Sequence, residues 1–148
     1  MKVREKTDIL LVEDNPNDAE LTLRALKDNN IANEITVVVD GEQALDYVFC
    51  RGPYEIEGEC CTPKLIILDL KLPKIDGLEV LRQIKSNEET RTIPIVVLTS
   101  SKHESDVINS YKYGVNSYIV KPVEFEKFLN AVRQLGMYWL LFNQQPEL

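Results

Sequence analysis

Ile9-Leu10-Leu11-Val12-Glu13-Asp14 decides how the rest of the chain is read. Four apolar residues in a row end abruptly on two carboxylates. The run is too short for a helix, and it does not alternate as a strand with one wet face would. It reads as a strand covered on both faces. Asn15-Pro16 then reads as a helix start, with Pro at the first helical position and Asp18 and Glu20 near the positive end of the helix dipole. Leu23 and Leu26 fall on the inner side of that helix, which is expected to end near Lys27.

The same unit recurs outward from this stretch. Ile35 to Val39 closes at Asp40-Gly41 and is followed by Ala44, Leu45, Tyr47, Val48 and Phe49 at helical spacing. Leu65 to Leu68 ends at Asp69, and a helix begins near Gly77 with Leu78, Leu81 and Ile84. Ile95 to Leu98 ends at Thr99, with a polar helix from about Glu104 to Tyr113. Ser117 to Val120 ends at Lys121-Pro122, and a last helix starts near Val123. Five strand–helix units with short connections predict a parallel sheet with helices on both faces, joined by right-handed crossovers. The expected fold is a doubly wound, five-stranded α/β domain of strand order 2-1-3-4-5, over residues 7–142 with a tail at 143–148. Arg51 to Pro63 reads as a surface loop.

Composition narrows the function. The chain has 148 residues, 44% hydrophobic and 28% charged, which suits one globular domain. A net charge of −7 opposes unaided nucleic-acid binding, which needs clustered Lys and Arg. No apolar run approaches the length of a membrane helix, and the first residues lack a signal-peptide core. Cys50, Cys60 and Cys61 are read as reduced thiols of a cytoplasmic protein. The one histidine, His103, leaves no zinc-type cluster and is read as a solvated residue at a helix start.

Sites in open α/β sheets lie at the carboxyl ends of the strands, beside the switch in strand order. The residues there are Glu13, Asp14, Asp69, Thr99 and Lys121. A single Asp after a strand is usually a cap or turn residue. Three carboxylates meeting at neighbouring strand ends would repel one another unless a cation sits among them, and Mg²⁺ suits such an oxygen set. With Lys121 as a fixed charge and Thr99 as a hydroxyl, these are the parts for phosphoryl transfer onto a carboxylate.

Four segments carry a family resemblance: ILLVEDNPNDAE, LIILDLKLPKIDGLEVL, IPIVVLTSS and GVNSYIVKP. Together they resemble the CheY-like receiver domain of two-component response regulators. The resemblance implies that Asp69 accepts the phosphoryl group and that Glu13 and Asp14 hold Mg²⁺ or Mn²⁺ with Asp69 and the backbone carbonyl of Lys71. It implies that Thr99 is the switch hydroxyl, Lys121 the phosphate-binding lysine and Tyr118 the switch aromatic. It also implies a cis Lys121–Pro122 peptide, and that side chains at Lys71 and Ser101 tune hydrolysis. Neither is a strong base, so slow self-dephosphorylation is expected. RQLGMYWLLFNQQP and DGEQALDYVF resemble the receivers paired with cyanobacterial phytochrome histidine kinases, which implies a phytochrome-type partner.

Met137 to Phe142 is apolar all round, unlike a helix wetted on one side. It either wraps the domain's own core or, as the preferred reading, forms a homodimer interface with the fourth helix, fifth strand and fifth helix. The expected function is a single-domain response regulator without a DNA-binding or enzymatic module, not an enzyme acting on a separate substrate. Two other classes fit less well. An aspartyl-phosphate phosphatase needs a second carboxylate where Lys71 stands. A flavodoxin-like binder needs a Gly- or Ser/Thr-rich loop where Glu13-Asp14-Asn15 stands.

Overall fold

The computed structural model describes residues 7–32, 34–55, 60, 62–121, 125–134 and 141. Five strands alternate with five helices: β1 (Ile9–Val12), α1 (Pro16–Asp28), β2 (Ile35–Val38), α2 (Gly41–Val48), β3 (Leu65–Leu68), α3 (Gly77–Ser86), β4 (Ile95–Thr99), α4 (Glu104–Lys112), β5 (Ser117–Val120) and α5 (Phe125–Gln134). The sheet is parallel throughout and runs β2-β1-β3-β4-β5, the order the sequence predicts.

The continuous apolar strands are explained by two cores, one on each face. Leu10, Val12, Ile66, Leu68, Ile95 and Val97 pack with Leu45 of α2 and Val80, Leu81 and Ile84 of α3. The intervening residues Ile9, Leu11, Leu65, Ile67, Val96 and Leu98 pack with Leu26 of α1 and Phe128 of α5. Alternate side chains of a strand point to opposite faces, so both must be apolar when both are covered. Only the edge strands β2 and β5 are partly exposed.

The helix starts follow capping chemistry. Asn15 accepts from the amides of Asn17 and Asp18 ahead of Pro16. Asp40 caps α2 through the Gln43 amide at 2.7 Å, and Asp76 caps α3 through the Leu78 amide at 2.8 Å. Among the described residues no helix is long and apolar enough to cross a membrane.

Cys50 and Cys60 are joined as a disulfide, which corrects their reading as free thiols. The pairing ties the residue just past α2 to the segment before β3, and Gly52–Tyr54 forms a short 3-10 turn inside the closed loop. The thiol argument for a reducing compartment therefore falls. The Lys121–Pro122 peptide, expected to be cis, and most of the apolar tail lie outside the described residues. Leu141 is the exception. It is helical, 1% exposed and packed in the α1/α5-side core of its own chain.

Candidate phosphoacceptor site

Strand register builds the site. Val12 pairs with Leu68, and Leu68 with Val97. The amide of Asp69 then donates to Val12 O at 3.0 Å, and that of Lys121 to Thr99 O at 2.9 Å. The ladder thus continues past the strand ends and fixes the backbones that carry Glu13, Asp69, Thr99 and Lys121. Behind Asp69, the first residue of α3 closes on the chain: Gly77 N donates to Leu70 O at 2.9 Å.

The ligand oxygens of Glu13, Asp14 and Asp69 all lie within 4.8 Å of one another. Glu13 and Asp69 are buried and Asp14 is exposed. All three donors are hard carboxylate oxygens with one open side, and this set fits Mg²⁺ or Mn²⁺. Lys121 reaches into the same cluster from β5. Its ammonium donates to Glu13 Oε1, to Asp69 Oδ2 at 2.9 Å and to Asp18 Oδ2 at 2.8 Å.

This packing splits the two buried acids. Burial pushes the Glu13 carboxyl up, and the neighbouring Asp69 adds to the rise against the pull of Lys121, to about 7. Burial also opposes ionisation of Asp69, but bonds from Lys121, Glu13 and Thr99 outweigh it and hold this carboxyl below its usual range. Lys121 is desolvated too, yet bonds to Asp18, Glu13 and Asp69 drive its pKa upward. Asp69 is thereby the more acidic member of the pair, and Glu13 the weaker acid.

The remaining predicted residues fall around this centre. Thr99 is fully buried at the end of β4, and Lys71 is exposed, with its amide on Asp69 Oδ1 at 3.2 Å. Tyr118 is half-buried with its hydroxyl on the Ser101 carbonyl. Ser101 is itself buried and donates to Asp106 Oδ2 at 2.5 Å, so it organises the first turn of α4. His103 stands exposed just before α4, as expected. Sequence reading missed Asp18 as part of the site. The available signal was its place four residues beyond Asp14, in the first turn of a helix that leaves from the acidic strand end.

Comparison with known proteins agrees with the geometry. Residues 9–133 match the model of the response regulator receiver domain. The chain is 43% identical over 138 residues to the probable methanogenesis regulatory protein FilR2 of Methanothrix harundinacea, covering 93% of this chain and 86% of that one. It is 42% identical to the response regulator Rcp1 of Synechocystis over 132 residues, covering 89% and 88%. The Mn(2+)-bound structure of Rcp1 superposes with a TM-score of 0.74, covering 94% of this chain and 98% of that one. The bacteriophytochrome response regulator RtBRR is 51% identical, with a TM-score of 0.82, covering 96% of this chain and 85% of that one. By its strand order, its acidic strand ends and these relationships, the chain belongs to the response regulator receiver domain family.

Proposed function

We propose that the Asp69 carboxylate accepts a phosphoryl group from the phosphohistidine of a sensor histidine kinase, of the phytochrome type, and that the modified protein signals through changed protein association. The observation that carries this reading is the Asp69 carboxylate itself: hydrogen-bonded to Lys121 at 2.9 Å and within 4.8 Å of the oxygens of Glu13 and Asp14. The phytochrome partner is favoured by the likeness to Rcp1 and RtBRR.

In the proposed transfer an Asp69 oxygen attacks phosphorus as the phosphorus–nitrogen bond to the imidazole breaks, and the imidazole leaves with the electron pair. Mg²⁺ or Mn²⁺, when bound, offsets charge on the phosphoryl oxygens, and Glu13, Asp14, Asp69 and the Lys71 carbonyl would hold it. Lys121 supplies a second positive charge already aimed at Asp69. On this reading the Thr99 hydroxyl, buried at the end of β4, bonds a phosphoryl oxygen and passes the change on to Tyr118. The protein assists its own modification and acts on no separate substrate. Hydrolysis is slow on this reading, because exposed Lys71 is cationic and the Ser101 hydroxyl is committed to Asp106.

Association through α4, β5 and α5 is the proposed output, as a homodimer. It is supported by Ile108 and Tyr111, which are 56% and 53% exposed on α4. The proposed workplace is the cytoplasm, beside the kinase. Incubation with acetyl phosphate and Mg²⁺ tests the acceptor. Intact mass should show one added phosphate on the wild type and none on Asp69→Asn. Label that persists in Asp69→Asn overturns the assignment. Transfer from a phosphorylated phytochrome kinase, but not from an unrelated kinase, tests the partner.

A further inference from the structure

Lys121 and a divalent ion would compete for the same oxygens. The carboxylates gathered for a metal are Glu13, Asp14 and Asp69. Those that hold the Lys121 ammonium are Glu13, Asp18 and Asp69. Two acids belong to both sets. Among the described residues, Asp18 is the one partner of Lys121 outside the metal set. It sits on the first turn of α1 rather than on a strand end, with its side chain 37% exposed at the mouth of the site.

We propose that Asp18 is a positioning residue that berths Lys121 when the metal site fills. This rests on the reading of the site given above. An ammonium has three donors, and here all three end on carboxylates. Taking Glu13 and Asp69 from it would leave a mostly buried cation, its side chain 13% exposed, with nothing to replace two strong charge-assisted bonds. Asp18 at 2.8 Å keeps one such bond through the exchange. It thereby lowers the cost of releasing Glu13 and Asp69, and it keeps Nζ beside Asp69 and ready for an arriving phosphoryl oxygen. No covalent bond is made or broken; the exchange is one of hydrogen bonds and ion pairs.

The chemistry separates this role from that of a simple negative charge near a cation. A plain field from Asp18 would aid metal binding whatever stands at 121. A berth works only through the lysine. The test is a double-mutant cycle with Mn²⁺ as probe, read by the loss of the free-ion electron paramagnetic resonance signal, in wild type, Asp18→Asn, Lys121→Met and the double variant. Asp18→Asn should weaken Mn²⁺ binding about threefold to tenfold beside Lys121, as expected for coupled residues in direct contact. The loss should shrink to under about twofold when Lys121 is replaced. Asp18→Glu, with the same charge and a longer reach, should recover most of the affinity. Equal losses in both backgrounds, or no loss at all, overturn the berth.

A parallel acetyl phosphate reaction on the wild type separates the two failures. If the wild type binds Mn²⁺ and is labelled on Asp69 while the cycle is flat, only the role of Asp18 falls. If the wild type neither binds the ion nor takes the label, the acceptor reading falls and the berth with it.

Discussion

The Tyr118 hydroxyl donates to the Ser101 carbonyl at 2.9 Å. Ser101 in turn donates from its own hydroxyl to Asp106. The ring on β5 is therefore tied, through one residue, to the first turn of α4, and both lie on the face proposed for association. Burial raises the Tyr118 pKa further above neutrality, so the phenol keeps its proton to donate. Tyr118→Phe retains the ring against the core and removes the bond. It should cost about 0.5–1.5 kcal/mol in urea unfolding and speed amide exchange selectively at residues 101–106. Unchanged exchange there would show that the tether does not hold the turn.

Gly77 is required by close approach rather than by backbone torsion. A Cβ there would come within 2.8 Å of Leu70 O and nearer still to Leu70 Cα and Asp69 O. All three are backbone atoms, which cannot swing aside as a flexible side chain can. Gly77→Ala must push α3 away from the segment that carries Asp69. Overpacking of this kind costs about 1–3 kcal/mol, and the displaced carboxylate should lose Mn²⁺ affinity as well. Full stability with full affinity would mean that the helix shifts freely.

The fold was legible because each buried strand is apolar at every position and ends on a polar residue. Leu10 and Ile9 had to serve opposite cores, and a one-faced sheet could not have explained both. Asp69, Glu13 and Lys121 were legible for the same reason: strand ends converge wherever the helices lie. Asp18 was not, because an acid in a first helical turn has a sufficient local explanation in the dipole. Its contact with Lys121 spans 103 positions and depends on the angle at which α1 leaves β1. The Cys50–Cys60 pairing was hidden too, since three cysteines with one adjacent pair admit several pairings. The tail's apolar run marked burial without naming what buries it.

Glu13 gives the metal-free protein a pH dependence of definite sign. Its folded pKa is raised from 4.5 to about 7, so between those values the folded state holds a proton that the unfolded state has released. Stability then falls as pH rises through that window, and the penalty is complete above it. Asp69 shifts the other way, so its contribution is present above its ordinary value and is lost only on further acidification. In a metal chelator, urea midpoints should decline from about pH 5 to about pH 8. Glu13→Gln should remove most of that slope and be the more stable protein at the alkaline end. A parallel slope in the variant would place the titration elsewhere.

The disulfide makes a direct chemical prediction. Two of the three cysteines are joined, so thiol titration of unreduced, denatured protein should give one thiol per chain, rising to three after reduction. Cross-linking positions ten apart restricts the unfolded chain, and reduction should lower stability by about 3 kcal/mol on the chain-entropy account. Replacement of Cys50 and Cys60 by serine should reproduce that loss and abolish the effect of reductant. Three thiols before reduction would remove the cross-link.

Leu141 separates the two readings of the apolar tail at one position. It is 1% exposed within a single chain, its carbonyl accepts from the Ala32 amide, and it shares a core with Ile9, Leu26 and Ile31. No second copy is needed to bury it. Leu141→Ala should therefore cost about 2–5 kcal/mol, independent of protein concentration. If the residue instead served a dimer, the loss would grow on dilution, because mass action links interface energy to concentration. Sedimentation of the same variant completes the comparison. A destabilised protein whose association state matches the wild type assigns Leu141 to the domain's own core and leaves dimerisation to the surface of α4, β5 and α5. An intact fold that no longer associates assigns it to the interface.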